Sequence, residues 1–190
     1  MGCLFHQDCY TRRQLRERLK REGIRHEMTM KIGVLSDTHL HGVTPSLRRI
    51  LHEHLAGLDV LFHAGDVVSA DVVRFLDQEV FYGVSGNMDP PEVREMLPPF
   101  RLLELDGWRI GLTHGGGGVA DLEERVAGLF PDADVIVYGH SHIPANHVRS
   151  GVLFFNPGTA TGYSREGRHT VGVLELGETV EGHIVEIGED

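Results

Sequence analysis

The segment Gly139-His140-Ser141-His142 directly follows the apolar run Val135-Ile136-Val137-Tyr138. A run of that length behind Asp134 predicts a buried strand, so both imidazoles fall in the turn just beyond a strand end. Core packing explains such a pair poorly. Neutral imidazole is the commonest side-chain ligand for a transition metal. One strand end can therefore offer two nitrogens to one metal, or one each to two. Other predicted strands end in groups of similar capacity: Asp37-Thr38-His39, Gly65-Asp66, Gly86-Asn87 and His114.

The set Asp37, His39, Asp66, Asn87, His114, His140 and His142 mixes carboxylate, imidazole and amide oxygen, with no thiolate. That composition argues against a structural cysteine-type zinc site and suits Mn²⁺, Fe²⁺, Co²⁺, Ni²⁺ or Zn²⁺. Seven ligands are too many for one metal and about right for two sharing a carboxylate. Two metals about 3.5–4 Å apart clamp a phosphoryl group and lower the pKa of a bridging water. A bridge calls for an anionic group with two oxygens, and Asp66, in the middle of the set, is the natural choice. Each motif alone has an ordinary reading. Asp37-Thr38-His39 is a turn with a side-chain bond to backbone, Gly65-Asp66 a turn leading into a helix, and Gly86-Asn87 a turn using asparagine's tolerance of positive φ. Their joint occurrence behind successive predicted strands favours the two-metal reading.

The elements that must position these residues alternate. Strands are predicted at 31–36, 59–63 and 80–84, with helices at 45–55 and 69–77, where Ser69 is the candidate N-cap. This β-α-β-α-β order implies a parallel sheet with helices on its faces. A short helix at 90–97 precedes a hairpin of 101–105 and 108–113 around Asp106-Gly107, a strong turn pair. A helix at 119–130 and the strand at 134–138 follow. Beyond the histidine pair, short strands at 147–148, 152–155, 170–176 and 180–187 read as an antiparallel meander. The layout suggests two sheets packed together with helices outside.

The chain has 190 residues, 41% hydrophobic and 24% charged, which suits one soluble domain with a full core. A formal net charge of −10 argues against a protein that wraps nucleic acid, which needs a surplus of Lys and Arg. Thirteen histidines point to metal or proton chemistry. Cys3 and Cys9, with His6 between them, provide no disulfide framework, which fits a reducing, cytoplasmic setting. No stretch approaches the roughly 20 apolar residues of a membrane span, and no signal-peptide centre is present. Residues 1–29 differ from the rest. Segment 11–25 is rich in Arg, Lys and Glu, with Leu15, Leu19 and Ile24 as sparse apolar points. It reads as a short helical arm or a mis-assigned start, since Met28 and Met30 directly precede the first strand, and 30–190 is the expected domain.

The order Asp37-Xaa-His39, Gly65-Asp66, Gly86-Asn87, His114, Gly139-His140-Xaa-His142 resembles the calcineurin-like metallophosphoesterase superfamily. Asn156-Pro157-Gly158-Thr159 and Gly86-Asn87-Met88-Asp89, with the small size, resemble its single-domain bacterial and archaeal phosphodiesterases. The resemblance covers about residues 30 to 187. It implies an α/β fold, a four-layer α-β-β-α sandwich of two mixed sheets. It also implies two divalent metal ions, manganese foremost: Asp37, His39 and His142 on the first, Asn87, His114 and His140 on the second, and Asp66 bridging. Asp66, Asn87 and His114 stand closest to the expected chemistry. A metal-bridging hydroxide attacks a small phosphodiester in line, nucleotide-like or otherwise, without a covalent enzyme intermediate.

One departure matters. Many members carry a histidine directly after the asparagine, where it can protonate the leaving group; here that place is Met88, whose thioether cannot. His41 and His63 are the stand-ins to weigh, against ordinary readings as a loop residue and a buried residue. Asp89 is either a helix N-cap or a carboxylate behind the ligands. Residues 115–118, four glycines, are either a phosphate contact or a flexible loop, and Arg165 and Arg168 read as solvated surface. The competing functions are a phosphomonoesterase and a catalytically silent scaffold of the kind the similar eukaryotic retromer subunit provides. A nuclease is disfavoured by charge. Exposed C-terminal sheet edges leave room for a homo-oligomer.

Overall fold

A computed structural model describes residues 29–78 and 80–188, so the expected N-terminal arm, Cys3 and Cys9 lie outside the described residues. The chain begins with β1 (Met30–Leu35), α1 (Pro45–His54), β2 (Val60–His63), α2 (Ala70–Leu76), β3 (Phe81–Gly83) and α3 (Pro91–Met96). The hairpin β4 (Phe100–Leu105) and β5 (Trp108–Thr113) follows, then α4 (Leu122–Leu129) and β6 (Val135–Val137). The last strands are β7 (Ala145–Arg149), β8 (Val152–Asn156), β9 (His169–Leu176) and β10 (Val180–Ile187). Thr44 caps α1 by accepting from the Leu47 N–H at 3.2 Å, and Pro45 opens its first turn. Ser69 holds the N-cap position of α2, but its side chain makes no capping bond.

The first sheet has the order β10-β9-β1-β2-β3 and the second β4-β5-β6-β8-β7. β1, β2 and β3 run parallel, as do β5, β6 and β8, while the outer strands are antiparallel. Alternating side chains of the central strands face opposite ways. Ile32, Val34 and Phe62 meet Ile110, Leu112, Val137 and Phe155 between the sheets. Leu35 and Leu61 pack against Leu47, Ile50, Val73 and Val93 of α1, α2 and α3. Ile136 and Phe154 pack against Leu122 and Val126 of α4. The result is the α-β-β-α sandwich of two mixed sheets, with apolar side chains on both faces of each parallel core.

The C-terminal third departs from a simple meander. β7 and β8 pair in the second sheet, where β8 also lies parallel to β6, whereas β9 and β10 pair in the first. The reason lies in β8, whose Leu153 and Phe155 point between the sheets while Phe154 points to α4. A strand buried on both faces is a central strand and needs neighbours on both sides. Segment 157–168 therefore crosses from one sheet to the other. Among the described residues no helix is long and apolar enough to cross a membrane.

Candidate metal centre

The predicted ligands leave the C-terminal ends of β1, β2, β3, β5 and β6, which the two packed parallel cores bring to one edge of the sandwich. Several sit in left-handed backbone: Asp37 (φ 52°), His39 (50°), Asp66 (56°), His140 (69°) and His142 (58°). That region is sparsely populated by residues with a Cβ and clusters at functional sites. The loops also touch. A Cβ at Gly139 would collide with the Ser36 hydroxyl, and one at Gly86 with the Asp66 carboxylate.

Two groups of donor atoms result. In one, His142 Nε2 lies 3.0 Å from Asp37 Oδ1 and 3.3 Å from His39 Nε2, and His39 Nε2 lies 3.8 Å from Asp37 Oδ1. In the other, Asn87 Oδ1 lies 3.0 Å from His114 Nε2 and 2.8 Å from His140 Nδ1. Asp66 Oδ2 stands between them, 3.3 Å from His114 Nε2 and 3.7 Å from His39 Nε2. Donor atoms of Asp37, His39 and His142, and those of Asp37, Asp66 and His114, each fall within 4.8 Å of one another.

The partners behind these groups decide what they can bind. The remote nitrogen of each second-sheet histidine faces a carbonyl: His114 Nδ1 the Ala64 oxygen at 2.8 Å, His140 Nε2 the Gly117 oxygen at 2.8 Å, and His142 Nδ1 the Tyr163 oxygen at 2.5 Å. Each such nitrogen donates, which fixes the tautomer and leaves the opposite nitrogen's lone pair aimed inward. Asp37 Oδ1 is buried with no hydrogen-bond partner among the described residues, although His142 Nε2 is close. A buried orphan oxygen flanked by inward-facing nitrogens fits a cation, so the donor set suits divalent metals.

The electrostatics agree. Burial alone would raise the Asp37 carboxyl, but the adjacent imidazoles of His142 and His39 and the field of His114 hold it well below the carboxylate range. Asp66 is likewise buried yet lowered, by His114 and by the Met88 N–H. Burial opposes charging His114, but Asp66 and Asp37 push its pKa up, and Asp37 raises that of His142. A divalent ion would use the same inward lone pairs, so metal binding competes with protonation of these imidazoles.

The structure answers several open readings. Asp66 does not offer two equivalent oxygens: Oδ1 accepts the Met88 N–H at 2.7 Å, leaving only Oδ2 to face both groups. His63 is buried, with Nδ1 accepting from the Gly65 N–H at 3.2 Å and Nε2 paired with the Thr38 hydroxyl at 3.2 Å. Burial lowers its pKa to about 4, so it is a neutral structural imidazole and no stand-in acid. Asp89 is not the N-cap of α3, a position held by Pro90. Its carboxylate turns instead toward the loops after β2 and β3. Within the glycine run, the Gly117 carbonyl serves His140. Arg168 pairs with Glu166 on the surface. Sequence reasoning missed the ties from the crossing segment, where Thr159 and Thr161 hydroxyls donate to the Asp37 and Thr38 carbonyls at 2.8 and 2.6 Å. The nearest sequence signal was Asn156-Pro157-Gly158-Thr159. Asn156 in turn donates to the Gly139 carbonyl at 2.9 Å and so steadies the histidine turn.

Comparison with known proteins gives a consistent result. The family model described as the calcineurin-like phosphoesterase superfamily domain matches residues 30–179. The chain is 33% identical over 165 residues to a probable metallophosphoesterase of Methanothermobacter thermautotrophicus, covering 84% of this chain and 94% of the relative. Among solved structures it is similar to an archaeal phosphodiesterase, with TM-score 0.67 and 27% identity over 83% of this chain and all (100%) of that one. It shares its fold with vacuolar protein sorting 29 of Cryptosporidium parvum, with TM-score 0.64 and 21% identity over 85% of this chain and 99% of the other.

Proposed function

The chain belongs to the calcineurin-like phosphoesterase superfamily and is a metal-dependent phosphoester hydrolase, and on that premise we propose that it is a dinuclear phosphodiesterase acting on a small diester. The observation that carries this reading is the placement of Asp66 Oδ2 between two groups of inward-facing donors. Asp37, His39 and His142 would hold one divalent ion, Asn87, His114 and His140 the other, and Asp66 both through Oδ2. Mixed oxygen and nitrogen donors with no sulfur suit Mn²⁺, Fe²⁺, Co²⁺, Ni²⁺ or Zn²⁺, and manganese, foremost in the family resemblance, is the ion to test first. Bound there, such ions supply a water that is nucleophilic at neutral pH and positive charge for the phosphoryl oxygens.

The residues of this chain contribute the rest. Asp37 and Asp66 stay ionised at neutral pH. The carbonyls of Ala64, Gly117 and Tyr163 hold three imidazoles in one tautomer and so orient them before binding. Met88, 60% exposed directly beyond Asn87, presents a thioether where a proton donor would stand. The reaction therefore favours esters whose leaving group departs without protonation.

The test is hydrolysis of a bis-aryl phosphodiester and the matching monoester by metal-stripped protein, with Mn²⁺ added back. The expected result is Mn²⁺-dependent turnover with the diester preferred. Preference for the monoester would make the protein a phosphomonoesterase. No turnover with any divalent metal, in a folded protein, would favour the scaffold reading that the fold also supports.

A further inference from the structure

We propose that Asp89 is the positioning residue that locks Asp66 and Asn87 into one frame, an inference that rests on the dinuclear reading above. Asp89 touches none of the inward-facing donors. Its buried carboxylate reaches two loops: Oδ2 accepts the Asp66 N–H at 3.1 Å and the Gly86 N–H at 2.7 Å, and Oδ1 accepts the Val68 N–H at 2.6 Å. The first and third of these belong to the loop after β2, the second to the loop after β3. One carboxylate thus satisfies three N–H groups that no ladder serves. Bonds from N–H groups to an ionised acceptor are stronger than neutral ones.

Two consequences follow for the centre. Asp66 and Val68 both hold positive φ, 56° and 72°, and a β-branched valine is a rare occupant of that region. Asp89 holds the N–H of both and so keeps the chain in that strained turn. The tie is also reciprocal: with the loops together, the Met88 N–H reaches Asp66 Oδ1 at 2.7 Å, which turns Oδ2 toward His114 and His39. From the other side, Arg94 donates to the main-chain carbonyls of Asp89 and Asn87, each at 2.8 Å. Asp89 therefore sets the separation between the shared oxygen of Asp66 and the amide oxygen of Asn87.

Asp89→Asn is the informative change. It preserves size, but the new amide nitrogen must face at least one N–H that the carboxylate accepted. The experiment titrates metal-stripped wild type and Asp89→Asn with Mn²⁺ by calorimetry, with folding followed by circular dichroism. Wild type should take up two equivalents. Asp89→Asn should bind the weaker equivalent about 10–100-fold less tightly, the range for groups that orient ligands, and diester turnover should recover at excess Mn²⁺. An Asp89→Asn protein that binds both equivalents with wild-type affinity overturns the inference, even if its unfolding midpoint falls. Amide hydrogen exchange in the metal-free wild type gives an independent reading should the variant not fold. Asp66, Val68 and Gly86 should be protected, and exchange at open-loop rates overturns the inference. A wild type that takes up fewer than two ions instead overturns the dinuclear reading, while the three amides still report whether the tie exists.

Discussion

The two sheets contribute unlike halves to the centre. The first supplies every oxygen donor, Asp37, Asp66 and Asn87, with the single imidazole of His39; the second supplies only imidazoles, His114, His140 and His142. The halves are also held differently. The first-sheet loops interlock: the Asp37 and His39 N–H groups donate to the Gly65 and Asp66 carbonyls at 3.0 Å each. Asp37 Oδ2 further accepts from the Ser36 hydroxyl at 2.5 Å and the His140 N–H at 3.1 Å. Two of the second-sheet histidines, His140 and His142, remain partly exposed, each leaning on one carbonyl. A buried anion needs several donors, and those of Asp37 converge on Oδ2 while Oδ1 faces the site. A neutral imidazole needs one acceptor for its remote N–H. The two carboxylates are therefore built rigid and interior, and the neutral donors His39, Asn87, His140 and His142 can stand at the rim.

The sharpest test of that asymmetry sets Asp66→Asn beside His140→Ala. Asp66→Asn removes the charge shared by both groups while keeping the size. Metal-dependent diester turnover should fall by more than about 10³-fold, about 4 kcal/mol of transition-state stabilisation. His140→Ala removes one neutral ligand from one group. Its turnover should fall about 10–100-fold and recover in part with excess Mn²⁺. Metal titration with steady-state rates checks both, and equal losses from the two changes would erase the distinction between the halves.

A smaller effect should appear in stability, again on the first-sheet side. His63 sits beneath the loops after β1 and β2, joining Thr38 to Gly65, and is neutral because burial lowers its pKa from 6.5 to about 4. The unfolded chain takes up this proton at higher pH than the folded one. The stabilisation is therefore complete above pH 6.5 and drains away as pH falls toward 4. Linkage puts the loss from this group at about 2 kcal/mol between pH 7 and pH 5. Denaturant unfolding of metal-stripped protein at both pH values should show this component in wild type and not in His63→Asn. An unchanged pH slope in the variant would remove His63 from the account.

His63 also marks where the sequence was legible and where it was not. The strand ends were readable because each candidate ligand follows an apolar run within a few residues, a local pattern. The first parallel core followed from the same runs alternating with amphipathic helices, whereas β8, which completes the second, read as part of an antiparallel meander. The orienting partners were not readable, because they lie far away in sequence: Ala64 serves His114, Gly117 serves His140 and Tyr163 serves His142. Asp89 resembled a cap because it precedes two prolines, yet its three partners lie in loops that only packing of β2 beside β3 brings near. The unequal setting of the two Asp66 oxygens was unreadable for a similar reason, since the Met88 N–H that bonds Oδ1 arrives from the neighbouring loop. The crossover of the C-terminal hairpins was hidden because short alternating strands do not specify which sheet they join.

The smallest expected effect lies on the second-sheet side, at the glycine run. Arg125 of α4 donates to the carbonyls of Gly116 and Gly118 and pairs with Asp121 one turn earlier. The carbonyl between those two, Gly117, is the acceptor for His140. Four successive glycines have wide backbone freedom, so their conformation here must be imposed from outside. Arg125→Ala removes that restraint without touching a donor atom. Affinity for the weaker Mn²⁺ equivalent should fall only a few-fold, because His140 is one neutral ligand among several and the guanidinium is partly solvated. Asp121→Ala deletes the exposed ion pair and leaves the bonds to the glycine carbonyls, so it should leave metal affinity unchanged. Parallel calorimetric titrations separate the two. Equal effects would assign the restraint to the ion pair, and no effect from Arg125→Ala would mean the glycine run holds its carbonyl without help. A loss as large as that from Asp89→Asn would contradict the asymmetry itself, because the rim imidazole His140 would then depend on its support as strictly as the buried carboxylate Asp66.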